Sequence, residues 1–263
     1  MMPEPLKIKT INTIGLYTLV QREVGRFLNV YLQTIVAPVV STGLFYTVFA
    51  LAFGGTSRMI GNLPFLEFLA PGLVMMTMVQ NAFANTSSSI VISKVQGNIV
   101  DILLPPLSSF ELYAGFTLGG VLRGLVVGIV TASVMALFVP MHIHAPFLIL
   151  AYALLGTLLL ASVGVAAGIW SEKFDHIAAV TNFIVTPLTF LSGTFYSVRQ
   201  LPPFWETLAH YNPFFYMIDG FRYGFIGQAD GHPWTGLLVL LAMNAVLGLL
   251  IFKMLESGYK IKS

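Results

Sequence analysis

Long uncharged apolar runs alternate with short polar connections along most of this chain. A helix crosses about 30 Å of hydrocarbon with about 20 mostly apolar residues. Six segments meet that pattern: Tyr31–Phe53, Phe68–Ile92, Leu118–Val139, Phe147–Trp170, Ile177–Val198 and Thr235–Phe252. Arg123 is the only charge in any of them. The pattern predicts an all-α polytopic membrane protein with six transmembrane helices.

Three stretches outside these runs have patterns of their own. Residues 11–31 place Leu16, Leu19, Val20, Val24, Phe27, Leu28 and Tyr31 at helical spacing, with Gln21, Arg22, Gly25, Arg26 and Asn29 opposite. That periodicity predicts an N-terminal interfacial amphipathic helix, its basic face toward water and anionic headgroups. Ser93 to Pro106 is helix-compatible until Pro105-Pro106 ends it. Its small apolar face is Ile99, Ile102 and Leu103, flanked by Lys94 and Asp101. Such a face either docks onto another protein or tucks against its own bundle. The third stretch, Arg199 to Trp234, is aromatic and broken by prolines at Pro202-Pro203 and Pro213. A water-exposed loop that rich in aromatics would aggregate. The pattern predicts short helices that dip into the outer leaflet and return, a re-entrant helical hairpin before the last span.

Composition narrows the class. Only 9% of the 263 residues are charged, 56% are hydrophobic and the mean hydropathy is +0.83. Soluble domains carry about 25% charged residues, so the solvent for most of this surface is lipid. No cysteine is present, which excludes disulfides, thiolate metal sites and Cys nucleophiles. Residues 1–10 do not lead into a short apolar core and cleavage site, so no secretory signal is expected.

The charges are sorted as well as sparse. With both termini on one side, that side holds Lys7, Lys9, Arg22, Arg26, Lys94, Lys173, Lys253, Lys260 and Lys262, with Arg123 expected to snorkel toward it. The other side holds Arg58, Arg199 and Arg222. By the positive-inside rule both termini are cytoplasmic, which agrees with an even number of spans.

Candidate chemistry is scarce. Ion-coupled transporters need ionisable groups inside the membrane, and no run contains Asp or Glu. The pair His142-X-His144 reads as a loop pair without a carboxylate partner, so no metal site is expected. No catalytic residues are expected either, since Ser192 has no histidine at its depth. No Gly-x-x-x-x-Gly-Lys loop occurs, so ATP, if used, binds to another chain.

What the runs do carry is packing and lining. Gly115, Gly119, Gly120, Gly124, Gly128, Gly164 and Gly168 form small-residue stripes that let helices approach. Asn81, Asn85, Thr86, Ser87, Ser88 and Ser89 lend uncharged polarity to the second run; Thr181, Asn182, Thr186, Thr189 and Ser192 do so in the fifth, where Pro187 predicts a kink. These stripes suit interhelical hydrogen bonds or an uncharged path for an amphiphile. The translocation-path candidates are Asn81, Asn85, Ser88, Thr181, Asn182, Thr186 and Thr189.

Short motifs then suggest a family. Val36-Ala37-Pro38-Val39, Ala70-Pro71-Gly72-Leu73-Val74-Met75-Met76 and Leu191-Ser192-Gly193 precede Leu201-Pro202-Pro203, Asn212-Pro213 and Gly220-Phe221-Arg222-Tyr223-Gly224. In this order they resemble the permease subunit of ABC-2-type transporters, in the bacterial inner-membrane branch with Nod-factor-export-like permeases. The resemblance implies one transmembrane domain over residues 1–263 and a location in the bacterial inner (plasma) membrane. It implies a homodimeric exporter for a lipidic, glycolipid or drug-like amphiphile, with membrane lipid around it and no nucleic acid. Each copy would dock an ABC ATP-binding subunit, two in all, which would hold ATP and Mg; this chain would hold no cofactor. Residues 94–104 match the coupling helix, with Lys94, Ile99, Asp101, Ile102 and Leu103 as docking residues. Residues 199–227 match the re-entrant outer segment, with Pro202, Pro203, Asn212, Pro213 and Arg222 at the outer gate, where Asn212-Pro213 and Arg222 would cap or orient the turn. The first, second and fifth runs would border the path between copies. The alternative from another class is a membrane assembly or scaffold protein that transports nothing.

Overall fold

The computed structural model describes residues 11–52, 59–61 and 63–260. Lys7, Lys9, Arg58 and Lys262, used above for orientation, lie outside the described residues, as does Phe53 at the end of the first run. The described chain is almost wholly helical. Helix α1 is Thr13–Leu28, and a π-helical turn at Leu32–Val36 leads into α2, Ala37–Ala52. A two-residue antiparallel pair, Met59–Ile60 with Leu63–Pro64, precedes the long α3, Phe65–Val95. Then come α4 (Ile99–Leu103), α5 (Ser109–Met135) and α6 (Pro146–Trp170). Helix α7, Phe174–Val180, continues through a π turn at Thr181–Val185 into α8, Thr186–Phe190. Two short helices, α9 (Pro203–His210) and α10 (Pro213–Ile226), lead to α11, Pro233–Glu256.

Four helices among the described residues are long and apolar enough to cross a membrane: Leu32–Ala52, Ser109–Met135, Pro146–Trp170 and Pro233–Glu256. The other two expected spans differ for physical reasons. Helix α3 has the length, 31 residues, but its polar side chains from Thr77 to Ser89 dilute its apolar character. The fifth run is helical only as far as Phe190, where the pattern predicts a helix to Val198, so the helix that starts at Phe174 is short for a span.

Helix α3 is the axis of the bundle, packed against α5 and α6 and buried over most of its length. The glycine stripes permit that packing. A Cβ on Gly120 would lie 2.7 Å from Thr86 Cγ2 and 3.0 Å from the Ala82 carbonyl, and one on Gly124 would lie 2.9 Å from the Met78 carbonyl. Both positions on α5 therefore set how closely it approaches α3. Helix α5 begins with a capping box: Ser108 accepts from the Glu111 amide, and Glu111 Oε2 accepts from the Ser108 amide at 2.6 Å. Glu111 also accepts from the backbone amide of Asn12, the N-cap of α1, which ties the first helix to the start of α5.

Helix α1 leaves Arg22 exposed but turns Arg26 inward. Its buried stripe is Leu19, Glu23 and Phe27, against α5 and α3. Glu23 is fully buried, and Arg26 turns inward with it. Part of the expected basic outer face becomes a polar seam with α3, because the Glu23 carboxylate on the inner face draws Arg26 toward it.

Candidate functional site

Three places gather the residues singled out by the sequence. The first is the polar flank of α3. A cavity of about 370 Å³ lies between α3 and the α7–α8 segment, and its walls include Asn81, Ser87, Ser88, Thr181 and Thr186. A second, of about 340 Å³, lies between α2 and α3 and is lined by Gln33, Ser41, Thr42 and Thr77. Gln80 and Asn81 line both. Thr42 and Thr77 share a hydrogen bond of 2.7 Å that joins α2 to α3.

The seven path candidates therefore divide. Asn81, Ser88, Thr181 and Thr186 face one cavity. Asn85 is buried and accepts from Arg26, through its backbone oxygen at 2.6 Å and its side-chain oxygen at 3.0 Å. Thr189 is buried and donates to the Val185 carbonyl at 2.6 Å. Asn182 sits on an exposed face with Phe183 and Ile184. Part of the set is engaged in hydrogen bonds within the protein, and part lines a cavity.

Charged groups that the apolar-run pattern passed over stand behind this wall. Glu23 Oε1 accepts from Ser89 Oγ at 2.7 Å, and Glu23 Oε2 lies 3.2 Å from Arg26 Nη2. Arg26 Nη1 also donates to Ser88 Oγ at 3.2 Å, and Arg22 Nη2 to Ser93 Oγ at 3.3 Å. Arg123 does not snorkel to a helix end. It lies midway along α5 and donates from Nη2 to Asn81 Oδ1 at 3.0 Å. The signal that could have found Glu23 was its place at i+4 from Leu19 and i−4 from Phe27, on the apolar side of α1.

The second place is the end of the bundle beyond the α3 C-terminus. Ile102 is buried there beside Leu19, Leu112 and Phe116, with Ile99 and Leu103 partly covered. Lys94 donates to the Ile169 and Ser171 carbonyls at 2.8 and 2.6 Å, and so caps the end of α6. Ile99, Ile102, Leu103 and Lys94 thus serve their own bundle. Asp101 is exposed, and the apolar residues turned outward are Val95, Val100 and Leu104. The face expected to dock is the inner face of α4, because its apolar residues complete the core between α1 and α5. Nearby, the Lys260 ammonium at 3.0 Å from Glu172 holds that carboxyl below its usual range and ties the C-terminal segment to the α6–α7 connection.

The third place is at the opposite end of α3, where the short motifs meet around Arg222. This side chain is 1% exposed. Its Nε donates to the Phe68 carbonyl at 3.1 Å, and Nη2 to those of Gly193 at 2.7 Å and Thr194 at 3.4 Å. Its guanidinium lies 3.7 Å from the Phe68 ring centroid. A Cβ on Gly72 would come within 2.8 Å of Nη2, and Gly193 has φ +76°, a left-handed conformation suited to glycine. Ala70-Pro71-Gly72 and Ser192-Gly193 are therefore two sides of one arginine pocket. Asn212 caps α10 by accepting from the Phe214 amide at 3.0 Å, and donates to the Leu188 carbonyl at 2.6 Å. Pro213 and Pro203 occupy first turns of α10 and α9, where a missing N–H costs nothing, and Pro202 precedes α9. Pro202 and Pro203 are exposed and do not reach the arginine pocket.

Two acids complete this end. Asp219 accepts from the Asp230 and Gly231 amides, both at 2.8 Å. Asp230 accepts from Ser197 Oγ at 2.7 Å and the Val198 amide at 2.6 Å. They tie α10, the lead-in to α11 and the turn after α8 together.

A helical bundle with four helices long and apolar enough to cross a membrane, a polar-lined flank on its central helix and a buried arginine closing one end is the architecture of a polytopic membrane protein. The ABC-2 type transporter family model matches residues 15–226, and the chain belongs to that family. It is 36% identical over 250 residues to the inner membrane transport permease YadH of Escherichia coli K12, covering 95% of this chain and 98% of the relative. The same identity and coverage hold for the Shigella flexneri protein of that name. Nodulation protein J of Rhizobium leguminosarum bv. viciae is 31% identical over 68 residues, 26% of each chain.

Proposed function

We propose that this chain is the permease subunit of an ATP-driven ABC exporter in the bacterial inner membrane, and that two copies form the path for an amphiphile. The observation that carries this reading is the pair of cavities meeting at Gln80 and Asn81, on the one long helix too polar to be an ordinary lipid-facing span. Leu44 on α2 and Phe183 and Ile184 beside α8 are exposed on the helices that border these cavities, which suits contact with a second copy. In this reading α3 and the α7–α8 segment complete the six spans. Helices α9 and α10 re-enter the outer leaflet, and residues 1–263 form one transmembrane domain with both termini cytoplasmic. ATP and Mg belong to a separate ATPase subunit, one per copy.

The exposure of Val95, Val100 and Leu104 supports an ATPase contact on the outer face of α4 and its ends. Val100 and Leu104 would enter a groove on the ATPase, with Asp101 beside them, while Ile99, Ile102 and Leu103 hold α4 in place. The test is co-purification with the ATPase. Val100→Asp with Leu104→Asp is expected to lower the ATPase recovered by about tenfold and to leave the thermal midpoint of the chain nearly unchanged, since both side chains are already exposed. Full recovery of the ATPase would remove α4 from the interface.

A further inference from the structure

The polar wall of α3 is uncharged along its own helix, yet arginines of two other helices stand one hydrogen bond behind it. Arg123 of α5 donates to Asn81, and Arg26 of α1 donates to Ser88; both acceptors line the cavity between α3 and the α7–α8 segment. The ion pairs of this cluster all go to one carboxylate, Glu23, which faces Arg22 at 3.8 Å and Arg26 at 3.2 Å. Arg123 has no ion pair among the described residues. The cluster is therefore short of negative charge.

It is short of acceptors as well. Arg26 Nε, Asn85 Nδ2 and Arg123 Nε are buried without a hydrogen-bond partner among the described residues. All three are donors. A buried donor nitrogen without an acceptor is unfavourable even where, as in Arg26, the rest of the group is paired, and an anion with several oxygens beside it offsets that cost. The cavity itself is lined by Asn81 and Ser88, with the two arginines in the layer behind them, and has apolar walls at Phe83, Ile177 and Val185. Positive charge behind a polar wall, facing apolar walls, fits an amphiphile with a negative head.

Resting on the transport reading, we propose that the cargo is an anionic amphiphile, and that Arg123 and Arg26 recognise its phosphate- or carboxylate-bearing headgroup at the Asn81–Ser88 wall of α3. This replaces the uncharged path that the sequence of α3 suggested. The sequence locates both arginines but turns them toward the cytoplasmic surface, because their partners Asn81 and Ser88 lie on another helix.

Equilibrium binding to the purified full-length chain in a neutral detergent tests the assignment without the ATPase. The probes are dioctanoyl phosphatidic acid and dioctanoyl glycerol, which share tails and differ in the phosphate. Wild type is expected to bind the phosphatidic acid at least about tenfold more tightly. Arg123→Gln retains a donor for Asn81 and loses the charge; it should erase about tenfold of that affinity and leave the glycerol probe unaffected. Arg123→Lys should keep most of the preference. Equal affinity of wild type for both probes overturns the proposal even if no variant folds, and so does an unchanged phosphatidic acid affinity in folded Arg123→Gln. Displacement of the phosphatidic acid by equimolar inorganic phosphate would contradict an amphiphile and point to a free anion. An ATPase that the anionic probe fails to stimulate, with the binding preference intact, counts against transport alone.

Discussion

Arg222→Ala is expected to destabilise the chain by about 3 kcal/mol, and to lower its thermal midpoint in detergent by about 10 °C. The side chain is enclosed, with three carbonyls and an aromatic face as its neighbours. Truncation leaves the Phe68, Gly193 and Thr194 oxygens without this donor in a space that water would have to enter. Buried acceptors left unpaired cost about 1–3 kcal/mol each, less where the site relaxes. Arg222→Lys should recover less than half of the loss. An ammonium is a point donor, whereas Phe68 and Gly193 are reached by two nitrogens of one planar fork. Thermal unfolding followed by circular dichroism decides it. A midpoint within a degree of wild type would mean that the meeting of motifs at Arg222 holds nothing together.

Glu23→Gln should produce the second largest loss, about 2 kcal/mol. Removing the charge leaves Arg22 and Arg26 against α3 with no counter-ion among their ion pairs. The loss falls at the low end for a broken buried pair because the Arg26 side chain is still 26% exposed and can reach water. A double-mutant cycle separates pairing from packing: in an Arg26→Gln background the Glu23→Gln loss should shrink by about half. Equal losses in both backgrounds would assign the effect to Ser89 and to packing against Gly119, where a Cβ would meet Glu23.

The apolar runs made the membrane class and most helix positions legible, because hydrocarbon thickness fixes run length whatever the packing. They were less informative where polarity is structural. Helix α3 is a single helix from Phe65 to Val95, but it is the buried axis, so Asn85 and Thr86 find partners in α1 and α6 rather than lipid. The fifth run carries a π turn at Thr181–Val185, just before the expected kink at Pro187, and apolar periodicity does not register one extra residue per turn. At α4 the sequence shows that Ile99, Ile102 and Leu103 share a side, and only the positions of Leu19 and Leu112 show that this side is inward. Arg222 was legible as part of a motif, and Asn212 as a cap. Their partners were not, since the Phe68 carbonyl lies 154 residues away in sequence. Glu23, Asp219 and Asp230 lay outside the runs counted for charge and were missed altogether.

In the transport reading, the Asn81–Ser88 wall of α3 borders a path that opens and closes as the ATPase works. The chain has no cysteine, so Ser88→Cys introduces a single thiol on that wall without background. Ser88 is half-buried and lines the cavity, within reach of a small polar reagent. The deciding measurement is the labelling rate of this thiol by a membrane-impermeant maleimide in inside-out vesicles containing the ATPase, with and without ATP. Labelling from the cytoplasmic side is expected to change at least about fivefold when ATP is added. A thiol that stays unreactive, or one labelled at the same rate in both conditions, would contradict that reading.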